Sequence, residues 1–193
     1  MPRKYEQTAR AVRRGATRQR IIEAIAGLHT EVGPALTTVS EIAERAGVER
    51  LTVYRHFPDE ASMYQACGAY VYSLHPPPDV EGWKTIEDPL ERLTRGLAEL
   101  YVFYAQTERI TANVLRDEKL LPVLARTANM GGWLTGAADV LVQAWTGAER
   151  DLVSPLVRPG ASFYSWQLLT QVSELSNQEV VQLIARLVVC VTS

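Results

Sequence analysis

The chain has 193 residues, 47% of them apolar, which suffices for one sizeable core or two small ones and excludes a disordered polyelectrolyte. Its net charge of -2 conceals an asymmetry: residues 1–58 hold ten Lys or Arg against six Asp or Glu, a net of +4, while residues 59–193 hold ten against sixteen, a net of -6. No apolar run is long enough to cross a bilayer and the N-terminus lacks the apolar stretch of a signal peptide, so a cytoplasmic location with no membrane partner is expected.

In the first twenty residues Arg3, Lys4, Arg10, Arg13, Arg14, Arg18 and Arg20 face one acid, Glu6. That composition reads as a flexible basic arm over 1–16, which gains affinity for a polyanion by releasing its counterions. Thr17 opens a helix whose stripe is Ile21, Ile22, Ile25, Leu28, His29 and Val32, and Gly33-Pro34 closes it. From Thr38 to Phe57 the spacing is that of two short helices. Val39, Ile42, Ala43 and Ala46 make one apolar face, Thr38 and Glu41 form a capping box, Gly47 supplies the turn, and Val53, Tyr54 and Phe57 follow in the second helix.

These residues resemble the DNA-binding domain of the tetracycline-repressor (TetR) family. The resemblance covers about residues 17 to 70 and is carried by Thr38, Ile42-Ala43, Gly47-Val48, the run Thr52-Val53-Tyr54-Arg55-His56-Phe57, and Met63. It implies a helix-turn-helix domain over 17–58, whose second helix enters the major groove. Thr38, Tyr54 and His56 are thereby assigned to phosphates, and Arg50, Leu51 and Thr52 to the groove; Arg55 shares their outer face, and Arg14 and Arg18 contribute from the arm. The chain departs from the family where many members carry Ser and Lys: it has Glu49 and Glu60, whose negative charges are expected to weaken DNA binding.

Pro58-Asp59-Glu60 begins a connecting helix over 59–75, with Met63, Ala66, Cys67, Tyr70, Val71 and Leu74 turned inward. Pro76-Pro77-Pro78 marks a domain boundary, and Asp88-Pro89 opens a second helical domain reaching residue 193, with Leu90, Leu93, Leu97, Leu100, Tyr101 and Tyr104 at helical spacing. Further helices are expected near 108–116, 119–146 with a bend at Gly131-Gly132, 160–174 and 177–191. With no strand pattern, the fold class is all-α: an N-terminal three-helix helix-turn-helix domain followed by a helical effector-binding and dimerisation domain.

No phosphate loop, dinucleotide fingerprint, nucleophile elbow or His-Glu-x-x-His pair is present, so neither an enzyme nor a cofactor is expected. Cys67, Cys190, His29, His56 and His75 lack metal-ligand spacing. The family resemblance implies an apolar effector cavity in the second domain, for which Tyr101, Tyr104, Asn113, Arg116, Trp133 and Trp145 are the candidate ligand-binding residues. It also assigns a homodimer contact to the last two helices, where Val180, Ile184, Leu187 and Val191 form one stripe and Val181, Ala185 and Val188 a second. The expected function is that of a transcriptional regulator on a palindromic operator, a repressor released by a small hydrophobic ligand. The alternative is a helix-turn-helix protein controlled by a protein partner, with a filled core and no small-molecule pocket.

Overall fold

The computed structural model describes the backbone of residues 2–193 and the side chains of residues 10–193. Its elements are helices throughout: α1 (Pro2–Glu31), α2 (Val39–Ala46), α3 (Arg50–His56), α4 (Glu60–Leu74), α5 (Val80–Trp83), α6 (Pro89–Asp117), α7 (Pro122–Thr127), α8 (Met130–Val142), α9 (Gly147–Gly160), α10 (Phe163–Gln167) and α11 (Asn177–Thr192). A 3-10 turn at Pro34–Leu36 and a π turn at Leu168–Val172 complete them, and no strand occurs among the described residues. None of the described helices is long and apolar enough to cross a membrane.

The chain divides into two compact units, Met1–Leu74 with Arg109–Asn129, and His75–Glu108 with Met130–Ser193. The first segment of the first unit ends at Leu74, two residues before the proline run. The other crossings correct the expected domains: residues 109–129, expected in the second domain, group with the first unit, and so does the connecting helix α4.

Within the first unit, Ile21, Ile22, Ile25 and Leu28 of α1 share a core with Ile42, Ala43 and Ala46 of α2, Val53 of α3, Phe57, and Met63 and Cys67 of α4. The basic segment read as a flexible arm is the first half of α1. Pro2 suits a first helical position, and the residues after it are mostly strong helix formers, so nothing before Gly15 breaks the helix. The side chains of Arg3, Lys4 and Glu6 lie outside the described residues.

Helix α1 ends at Glu31, and the chain turns away from it at Gly33, whose φ of 96° is open to glycine alone without strain. A Cβ there would also collide with Arg116 and Asp117. Those two residues and Asn113, at the end of α6, bond the backbone that leaves α1. Asn113 Nδ2 donates to the carbonyls of His29 (2.9 Å) and Thr30 (3.0 Å), Arg116 donates to that of Val32 (2.9 Å), and the Ala35 amide donates to Asp117 (2.9 Å). Carbonyls that a helix end leaves without partners are thus satisfied by side chains. The helix expected at 108–116 is therefore the end of a longer one.

The long helix expected over 119–146 is instead α7 and α8. The break falls at Asn129, with φ 44°, and not at Gly131-Gly132. Helix α9 goes unforeseen because Pro155 and Pro159 argue against it; both are exposed, so the hydrogen bonds they forgo fall on the solvent side. In the second unit Tyr104 packs edge-on against Phe163 at 5.4 Å and beside Trp166 at 5.5 Å. On α11 the two expected stripes redistribute. Val180, Val181, Ile184 and Val188 are buried, while Leu183, Leu187 and Val191, each four residues from the next, remain exposed.

His29 is 3% exposed and stacks beside Tyr64 at 5.7 Å. Burial, only partly opposed by Asp117, pulls its pKa from 6.5 to about 4. An imidazole that stays neutral when folded but takes a proton when unfolded lowers stability as pH falls through this window. Unfolding free energy is therefore expected to drop by about 2 kcal/mol between pH 8 and pH 5 through this residue. His29→Phe, which keeps a ring against Tyr64, flattens that slope in urea titrations.

Candidate nucleic-acid interface

Two short helices with one tight turn carry the site. At the start of α2 the Thr38 hydroxyl accepts from the Glu41 amide at 3.3 Å, and the Glu41 carboxylate accepts from the Thr38 amide at 2.9 Å, the reciprocal bonds of a capping box. The Thr38 hydroxyl also donates to that carboxylate, and these bonds hold the Glu41 pKa below its usual value. At the other end Gly47 takes the left-handed conformation, φ 64° and ψ 43°. The Gly47 amide then donates to Glu44 O at 3.1 Å and the Val48 amide to Ala43 O at 3.0 Å, closing the helix in a Schellman turn. This turn aims α3.

Val53 and Phe57, both 0% exposed, are the buried side of α3 and its exit. The opposite side is bare: Arg50, Leu51, Tyr54 and Arg55 are exposed, and Thr52 and His56 are half-buried. Leu51 is 59% exposed. An arginine, a leucine and a threonine in succession offer a bidentate donor, a methyl contact and a hydroxyl, the chemistry that reads base edges. Every residue expected at the groove thus lies on one helix of the first unit.

Arg14 and Arg18 lie on α1 and line an open cleft with Arg10, Ala11, Gly15 and His56. Arg18 holds its guanidinium over the Phe57 ring at 4.8 Å. Sequence reading grouped Arg10, Arg14 and Arg18 with a basic arm and assigned only Arg14 and Arg18 to DNA. The signal was available, since 10, 14 and 18 share one helical face, but it depends on knowing that this segment is helical.

The candidate effector residues are dispersed. Tyr101 and Tyr104 are fully buried, donating to Gly160 O and Ala161 O, each at 2.6 Å, and burial pushes both phenols upward. Asn113 and Arg116 bond the end of α1 in the first unit and belong to no pocket of the second. Trp145 is buried; Trp133 is half-buried and edge-on to Phe103 at 5.7 Å. The second unit instead has an open cleft of about 390 Å³ lined by Pro76, Pro78, Ala98, Glu99, Val102, Phe103 and Gln106. It lies on the face of α6 away from Tyr101 and Tyr104. Among the described residues no group of His, Cys, Asp or Glu is placed to hold a metal ion.

Residues 21–67 match the model of the tetR family of bacterial regulatory proteins. The nucleoid occlusion factor SlmA of Alteromonas mediterranea is 41% identical over 56 residues, a span covering 28% of this chain and 28% of that protein. Similarity of fold extends much further. A TetR-like transcriptional regulator from Rhodococcus sp. RHA1 superposes with a TM-score of 0.61 at 17% identity, covering 89% of this chain and 93% of that one. A tetR-family regulator from Streptomyces coelicolor gives 0.52 at 21% identity, covering 89% and 78%.

Because the Thr38 hydroxyl satisfies an end amide of α2, Thr38→Ala is expected to cost about 1 kcal/mol of unfolding free energy. Thr38→Ser retains the cap and most of that stability. Urea unfolding of the two variants distinguishes a cap from an unpartnered surface threonine.

Proposed function

We propose that this chain, which belongs to the tetR family through its N-terminal domain and shares the whole-chain fold of TetR-like regulators, is a non-enzymatic transcriptional regulator that binds a palindromic operator in the cytoplasm as a homodimer. The observation that carries this reading is the exposed face of α3, with Arg50, Leu51 and Tyr54 on a helix fixed by a capped partner and a glycine turn. Arg50, Leu51 and Thr52 read bases. Thr38, Tyr54, Arg55, His56, Arg14 and Arg18 hold the backbone, which positions the protein without reading sequence.

One such helix spans only a few base pairs, so specificity calls for two, about 34 to 36 Å apart or a multiple of that, on a two-fold axis. The exposed row Leu183, Leu187 and Val191 on α11 supports self-association, being apolar surface that the chain itself leaves uncovered.

Control is assigned to a small hydrophobic effector that lowers DNA affinity, making the protein a repressor released by its ligand. The apolar cleft along Ala98, Val102 and Phe103 supports such a ligand. The satisfied phenols of Tyr101 and Tyr104 favour the second reading, a packed domain controlled by a protein partner. A ligand that prefers the DNA-incompetent state by about 1–3 kcal/mol weakens operator binding about 5- to 150-fold, and DNA weakens ligand binding equally.

Arg50→Ala is expected to relax preference at one base pair by about 1–3 kcal/mol, whereas Tyr54→Phe weakens all sites alike. A panel of single-substitution operators measured with both variants checks this division; identical profiles would refute it. Leu187→Glu is expected to shift sedimentation toward the monomer. A thermal-shift screen of hydrophobic compounds, each hit then added to an operator titration, decides between the two modes of control.

A further inference from the structure

We infer that Glu49 determines part of the sequence specificity: its carboxylate accepts a hydrogen bond from a cytosine 4-amino group in the major groove and so selects a C·G pair in each half-site. The inference rests on the DNA-binding reading, in which Arg50, Leu51 and Thr52 meet the bases, and adds to it the acid that precedes them.

Glu49 lacks the two structural roles that acids take nearby. It stands directly before α3 with extended backbone, φ -78° and ψ 150°. Its carbonyl accepts from the amides of Thr52 at 2.8 Å and Val53 at 3.3 Å, which fixes its place at the turn. Its carboxylate makes no cap bond to α3, unlike that of Glu41, which completes the capping box of α2. Nor is it ion-paired among the described residues, unlike Glu31, which two guanidinium nitrogens of Arg45 hold at 2.8 and 2.6 Å. The neighbouring Arg50 has no ion pair either, so two opposite charges side by side are both left to face outward. Glu49, Arg50 and Leu51 form one exposed run. A helix lying in the major groove turns the residues at its start toward base edges, and this run is there.

A carboxylate on this surface opposes the phosphates and weakens binding to every duplex unless a base donor meets it. It can only accept hydrogen bonds. In the major groove guanine shows acceptors alone, thymine an acceptor and a methyl group, adenine an amino donor beside its N7 acceptor, and cytosine an amino donor by itself. Cytosine therefore attracts the Glu49 carboxylate, adenine both attracts and repels it, and guanine and thymine repel it. Charge repulsion from the backbone is the same at every sequence and cannot produce that order. The acid thus lowers affinity for DNA in general and restores it where the matching base occurs, which is discrimination gained by penalising the wrong partners.

The test uses the full chain, operators recovered from a random-sequence pool, and a panel in which each base pair of the half-site is replaced in turn, titrated by fluorescence anisotropy. In the wild type one cytosine position is expected to lose about 5- to 150-fold in affinity when changed to guanine or thymine, and less when changed to adenine. Glu49→Ala is expected to abolish the preference at that position and to leave intact the preference that Arg50→Ala removes. Glu49→Gln is expected to turn it toward adenine, the base an amide side chain pairs with. With no cap bond or ion pair to lose, both Glu49 variants keep the urea midpoint of the wild type, so a folding defect does not imitate the result. Uniform tightening of every operator by Glu49→Ala, or a profile identical to that of the wild type, overturns the inference and leaves the DNA-binding reading in place. A wild-type chain that enriches no sequence from the pool removes both.

Discussion

A seven-residue helix has no independent stability in water, because nucleation costs more than so few hydrogen bonds return. Helix α3 exists as a helix because Val53 and Phe57 are fully buried in the core shared with α1, α2 and α4. Burying two such side chains is worth about 1.5–3 kcal/mol each, enough to hold a short segment in place. The same anchoring fixes which side is left outside. With Val53 and Phe57 inward, Arg50, Leu51, Tyr54 and Arg55 have only solvent, or a ligand, to face.

The polar side chains of the first unit divide between structure and surface in a way residue type does not reveal. Asn113 and Arg116 look on paper like groups that orient a bound molecule, yet they and Asp117 bond the backbone at the end of α1. Burial alone would raise the Asp117 pKa. The Arg116 hydrogen bond, the Ala35 amide and the Arg116 charge more than offset it, so the carboxylate stays ionised inside the unit. Arg10, Arg14 and Arg18 do the reverse: among the described residues none of them is ion-paired.

The two histidines of this unit illustrate how burial and charge set one chemistry to two uses. His29 has so little solvent that it stays neutral well into acid and behaves as a core residue. His56 is half-buried, and its pKa is lowered first by that partial burial and then by the charges of Arg14 and Arg18. Depth sets how far each imidazole is perturbed, and depth is a property of the packed chain.

The sequence by itself determined the all-helical class, the capped α2, the glycine turn and the face of α3, because each is a local matter of spacing, caps and backbone conformation read within about twenty residues. It did not determine that the basic N-terminal segment is helical, which removes the arm and lines Arg10 up with Arg14 and Arg18. Nor did it show that α6 runs unbroken to Asp117, or that α9 forms despite Pro155 and Pro159. The partners of the candidate effector residues were out of reach for the same reason. An aromatic side chain at helical spacing is equally at home in a core or a pocket, and the acceptors of the Tyr101 and Tyr104 phenols come from residues more than fifty positions away. Local rules fix what lies within a turn or two of the chain; contacts between distant segments depend on how every helix packs at once, and no single stretch carries that information.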